Sequence, residues 1–171
     1  SRNMLFGTDL GVNLPLTPFV NGQIAYINNS LSQAVVVSNY FDQFTGWASV
    51  SANGILMNNI GIRDHSGEWL VGFGNTAGGN NTVVCNNLTW AMNTTWTGGA
   101  TNVGLEFSGT GHTIKNNVLI NMGMKLAFGL SETYNTFVGG SPVNTSNTVL
   151  ALGANSVSIS DAKLDSVGRP F

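Results

Sequence analysis

Ile114-Lys115-Asn116-Asn117-Val118-Leu119 sets an asparagine pair between two short aliphatic runs, and this small unit returns along the chain. Leu56-Met57-Asn58-Asn59-Ile60 and Val84-Cys85-Asn86-Asn87-Leu88 repeat it closely. Val36-Val37-Ser38-Asn39-Tyr40-Phe41, Glu132-Thr133-Tyr134-Asn135-Thr136-Phe137 and Gly153-Ala154-Asn155-Ser156-Val157 are looser copies. The shared asparagine falls at Asn39, Asn59, Asn87, Asn117, Asn135 and Asn155, in steps of 20, 28, 30, 18 and 20 residues. A unit this short cannot bury its own apolar face and must stack on a neighbour, so the period predicts a solenoid. Strands of Val, Ile and Leu broken by Asn and Gly make it a β-solenoid and not a helical one. Residues 34–160 carry the repeat. Residues 1–33 read as an N-terminal arm or cap, because Pro15 and Pro18 interrupt Leu14, Leu16, Phe19 and Val20. Residues 161–171 turn polar and read as a tail.

Composition narrows the function. Of the 171 residues, 42% are hydrophobic but only 8% charged, about a third of the usual charged share. That balance fits a folded β protein with an Asn-, Gly-, Ser- and Thr-rich surface, and not a disordered chain. The formal charge of −2, with six Lys and Arg scattered singly, provides no basic field for nucleic acid. No apolar run is long enough for a membrane span. Cys85 is the single cysteine, so no internal disulfide or zinc motif is expected, and it reads as a small buried apolar side chain. Neither a metal nor a cofactor is expected.

The stretch from Gly104 to Leu119, with its Gly109-x-Gly111 pair ahead of Ile114 and Asn116-Asn117, resembles the repeat of right-handed parallel β-helix proteins. That group includes pectate-lyase-like proteins, alginate epimerases and phage tailspikes. Residues 79–90 and 52–62 fit the same pattern less closely. The resemblance implies an all-β, right-handed parallel β-helix of about six coils behind an irregular arm. A column of stacked asparagines would hydrogen-bond along its axis. It further implies a homo-oligomer, commonly a trimer, or a larger assembly, and an extracellular or virion-surface location.

Candidate chemistry is sparse. The two long steps carry added sequence, which in adjacent repeats tends to project from one side and build a binding face. The first holds Arg63, Asp64, His65, Glu68 and Trp69: cation, acid, base and ring within seven residues. The first also holds Gly74 to Asn80, and the second holds Trp90, Trp96 to Ala100 and Gly104 to Phe107. Trp69, Trp90 and Trp96 are the aromatic candidates for stacking on sugar, while neutral Asn, Ser and Thr side chains suit hydroxyls. His112 reads as a turn residue. No two of the eight acids occupy matching repeat positions, so neither a calcium site nor a glycosidase pair is indicated. The expectation is therefore a non-enzymatic structural or glycan-binding module of a virion or surface appendage. The alternative is a polysaccharide lyase or glycoside hydrolase, or a fragment of one.

Overall fold

A computed structural model gives the fold, and it describes residues 4–6, 23–26, 35–42, 46–50, 52–63, 71–75, 79–92 and 103–160. The described chain is all β, with no helix. It begins with β1 (Met4–Phe6) and β2 (Gln23–Tyr26). Then come β3 (Val35–Val37), β4 (Tyr40–Asp42) and β5 (Gly46–Ser49), followed by β6 (Ile55–Met57), β7 (Ile60–Arg63) and β8 (Val71–Asn75). The same cycle repeats in β9 (Val83–Cys85), β10 (Leu88–Ala91) and β11 (Val103–Phe107), and in β12 (Thr113–Lys115), β13 (Val118–Ile120) and β14 (Gly123–Leu126). β15 (Thr136–Val138), β16 (Pro142–Asn144) and β17 (Val157–Ile159) end it.

Successive strands of each triplet enter three different sheets. The four-stranded sheet is ordered β12-β9-β6-β3, the seven-stranded one β1-β4-β7-β10-β13-β15-β17, and the six-stranded one β16-β14-β11-β8-β5-β2. Every strand pair within them is parallel. Among the described residues the one antiparallel contact is an isolated bridge, Val143 to Val149, across the turn after β16. β1 pairs with β4 and β2 with β5, so sheet pairing begins well inside the segment expected to be an arm. The expected tail lies outside the described residues.

Side chains alternate across each strand, and one set from every sheet meets in a common core. The four-stranded sheet contributes Val36, Leu56, Val84 and Ile114 in register. Leu119 and Phe137 come from the seven-stranded sheet, and Leu105, Phe107, Met124 and Leu126 from the six-stranded one. A core of parallel strands buried on one side needs tight corners to keep the sheets apart. The short turns are made by residues with positive φ: Asn53, Asn81 and Gly111 before the four-stranded sheet, Asn121 and Gly139 before the six-stranded one. Asparagine tolerates this left-handed backbone because its short polar side chain bonds locally.

The asparagine column occupies the remaining corner, between the four- and seven-stranded sheets. Asn39, Asn59, Asn87, Asn117 and Asn135 are in register, and each of the first four donates both its backbone N–H and its Nδ2 to the Oδ1 of the next, at 2.8–3.1 Å. The second Nδ2 proton of Asn59, Asn87, Asn117 and Asn135 goes to the carbonyl of Val36, Leu56, Val84 and Ile114. Asn59, Asn87 and Asn117 are thereby buried with every amide group paired. The left-handed residue is the one before each rung: Ser38, Asn58, Asn86, Asn116, Tyr134 and Asn155. The two members of an Asn-Asn pair thus divide the work. The first makes the corner and the second fills the column.

Asn155 needs correction on this ground. β17 pairs with β15 so that Val157 lies opposite Thr136, which places Ser156 opposite Asn135. Ser156 is the sixth rung, accepting from the Asn135 N–H at 2.9 Å, and Asn155 is a corner residue with φ of 59°. The earlier doublets place the column residue second, and Asn155 comes first in its pair.

Candidate functional site

Most of the excess length of the two long repeats lies at one corner. β4 is joined to β5 by residues 43–45, β13 to β14 by 121–122 and β15 to β16 by 139–141, but β7 is joined to β8 by 64–70 and β10 to β11 by 92–102. The two long connections leave adjacent strands, where Arg63 is opposite Ala91. They return to adjacent strands, where Val71 is opposite Val103. Both are therefore anchored side by side along the edge of the six-stranded sheet. Parts of the added sequence are strands: Gly74 belongs to β8, and Gly104 to Phe107 to β11.

The outer face of that sheet carries a charged pair. Glu106 on β11 and Lys125 on β14 are in register, with Lys125 Nζ 3.4 Å from Glu106 Oε1. Both side chains are about one-fifth exposed, at 20% for Lys125 and 23% for Glu106. Beyond Glu106 the next register position is Gly74, which has no side chain, so the carboxylate borders a bare strip of backbone. Water reaches both groups, which limits the pair's worth to roughly 0–1 kcal/mol of stability. Its chemical interest is different. A carboxylate acceptor and an ammonium donor stand together on the outer face of the sheet.

The sequence-derived candidates fall out unevenly. Arg63 ends β7 at the mouth of the first long connection. Asp64, His65, Glu68, Trp69 and Trp96 lie outside the described residues. Trp90 sits elsewhere: β10 places it in an outward column of the seven-stranded sheet, in register with Ile62, Ile120, Val138 and Ile159. A parallel column holds Ile60, Leu88, Val118, Thr136 and Val157, so that face is almost entirely apolar, and on it Ile62, Ile120 and Val138 are buried while Ile60, Val157 and Ile159 are exposed. Glu106 and Lys125 were missed because they are distant in sequence. Aligning the Gly104 to Phe107 strand with Gly123 to Leu126 by repeat position would have found them.

His112 is held in the turn before β12. Its Nδ1 accepts from the Thr82 N–H at 3.1 Å, which fixes the proton on Nε2, and Nε2 donates to the Ser108 carbonyl at 2.9 Å. The ring also lies against Phe107, with centroids 5.7 Å apart. Both nitrogens are thus committed, one to the ring's own turn and the other to the turn of the neighbouring repeat. Cys85 is buried, and burial pushes its thiol up, partly offset by Lys115. No group of three or more His, Cys, Asp or Glu among the described residues is arranged to hold a metal ion. No described helix is long and apolar enough to cross a membrane. Set against protein-family models, curated proteins and solved structures, the chain matches none of them.

Proposed function

We propose that the chain is a right-handed parallel β-helix module that binds a neutral glycan along the outer face of its six-stranded sheet. The reading rests on one observation above the others. Two long connections are anchored side by side at the edge of the sheet whose outer face, three residues further along the same strands, carries Glu106, paired with Lys125, and Gly74. The three-sheet cycle supports the β-helix, and parallel crossovers are nearly always right-handed. Low charge and an amide- and hydroxyl-rich surface suit hydroxyl recognition without the cost of stripping water from ions. Trp69 and Trp96 belong to the long connections and would stack on sugar rings. In the outward columns of the seven-stranded sheet Ile62, Ile120 and Val138 are already covered, and it is the exposed Ile60, Val157 and Ile159 that would meet further copies of the chain, as a homo-oligomer on a virion or surface appendage.

Titration calorimetry with soluble bacterial, algal and plant polysaccharides tests the reading. We expect saturable binding that weakens about tenfold in Trp96→Ala and in Glu106→Gln, since a few anchors carry most of such affinity. It should vanish when residues 92–102 are replaced by the Asn-Met turn that joins β13 to β14. Binding that survives the replacement removes this face from consideration. A polysaccharide-cleaving enzyme is the second reading, favoured by the sequence that follows Arg63 at the end of β7, which brings Asp64, His65 and Glu68 within five residues. It requires new reducing ends or unsaturated products that disappear in Asp64→Ala and His65→Ala.

A further inference from the structure

The asparagine column has a direction, and its downstream end is chemically closed. Each rung donates two hydrogen bonds forward, from its backbone N–H and from Nδ2. A final rung that kept this pattern would present two unpaired donors to whatever approached the end of the stack. At Asn135 both are consumed. Its N–H goes to Ser156 Oγ at 2.9 Å and its Nδ2 to Glu132 Oε2 at 2.6 Å. The Ser156 hydroxyl itself donates to the same Glu132 oxygen, and the Gly153 N–H donates to Oε1 at 2.5 Å. The Ser156 N–H, the next forward donor in line, turns back within its own loop to the Gly153 carbonyl.

Glu132 does this from an unexpected place. Thr133 bridges Lys115, so Glu132 holds the register position of Ile114, the inward column otherwise filled by Val36, Leu56 and Val84. It is 1% exposed. Its three donors come from Asn135, Gly153 and Ser156. Lys115 and Tyr134, the titratable groups nearest in sequence and register, are exposed at the surface. A Cβ at position 153 would fall on the Glu132 carbonyl oxygen, so only glycine lets the last loop close over the carboxylate. Beyond it lies β17, whose Val157, Ser158 and Ile159 are all exposed. An exposed, apolar parallel strand at the end of a stack is a template for pairing with another chain, and inward-pointing charge is one way proteins blunt such an edge.

We infer that Glu132, Gly153 and Ser156 form a stop that terminates the asparagine column and keeps the β17 end from stacking end to end on further copies of the chain. The carboxylate and the serine hydroxyl replace one carboxamide, accepting between them the two hydrogen bonds that the Oδ1 of a next asparagine would have accepted. They leave no forward donors behind. A second copy stacked on β17 would therefore meet a serine rung whose N–H and hydroxyl are both already donated within the closing loop.

The test restores the repeat's own residues at the stop. Glu132→Val with Ser156→Asn returns an aliphatic side chain to the inward column and a carboxamide to the sixth rung. Light scattering over a concentration series should show the mass of this double variant climbing with concentration well beyond that of the wild type. Electron microscopy should show rods lengthened along one axis. A double variant that keeps its β-type circular dichroism and melts cooperatively, yet matches the wild type in mass throughout, overturns the inference. Glu132→Gln covers the case in which the double variant does not fold. It sets an amide N–H₂ against donors, so amide hydrogen exchange at Gly153, Ser156 and Val157 should rise about tenfold relative to Asn87. Unchanged exchange at those three amides also overturns it.

Discussion

Replacing Asn87 with leucine takes a middle rung out of the column while leaving a side chain of similar length. The Oδ1 of Asn87 accepts from the Asn59 N–H and Nδ2, each at 3.0 Å, and both of those donors are buried. Leucine accepts nothing, so two donors lose their partner in a region closed to water. Each such loss costs about 1–3 kcal/mol. Burying a leucine returns about 1.5–3 kcal/mol, provided it fits. The balance is a destabilisation of about 2 kcal/mol. With a urea slope of about 2 kcal/mol/M, the midpoint should fall by about 1 M. Circular dichroism at the β minimum during urea titration measures it. The neighbouring corner residue supplies the control. Asn86 is exposed with φ of 58°, so Asn86→Gly should be nearly neutral, whereas Asn86→Ala should cost about 1 kcal/mol in backbone strain. An Asn87→Leu midpoint within about 0.2 M of wild type, at unchanged slope, would refute the claim that the column's bonds hold adjacent strands in register.

Thr89 is buried in the core with its hydroxyl unpaired among the described residues, so Thr89→Val should stabilise the protein by about 1–3 kcal/mol in the same titration. Gly104 stands at the register shift of β11, and a Cβ there would fall on Thr89 Oγ1 and lie 3.2 Å from the Met122 Cβ. Gly104→Ala should therefore destabilise by about 1–3 kcal/mol, a change read as a lowered melting temperature. Burial raises the Cys85 thiol, so less of it is thiolate at any given pH, and the site is closed to reagent. A thiol-reactive dye should label the native protein far more slowly than the urea-unfolded one, with the difference persisting as pH is raised toward the ordinary thiol range.

The spacing of the asparagines was enough to establish the repeat, the strand character of the units and the rungs from Asn39 to Asn135. The reason is physical. Each carboxamide bonds both ways along the column, so the rungs must recur once per repeat and cannot drift in register. The same logic misplaced the sixth rung, because Asn155 matches by residue type while the backbone decides which member of a pair turns the corner. The long connections were visible as excess length, but their common anchorage at the six-stranded sheet depends on which strands become neighbours. Glu106 and Lys125 meet only through the register of β11 on β14, nineteen residues apart in sequence. The outer apolar wall around Trp90 was hidden too, since strands apolar on both faces lose the alternation that separates inside from outside. Nothing local marks Glu132 as buried. Its position opposite Ile114, and the loop that Gly153 folds over it, exist only once the rungs are stacked.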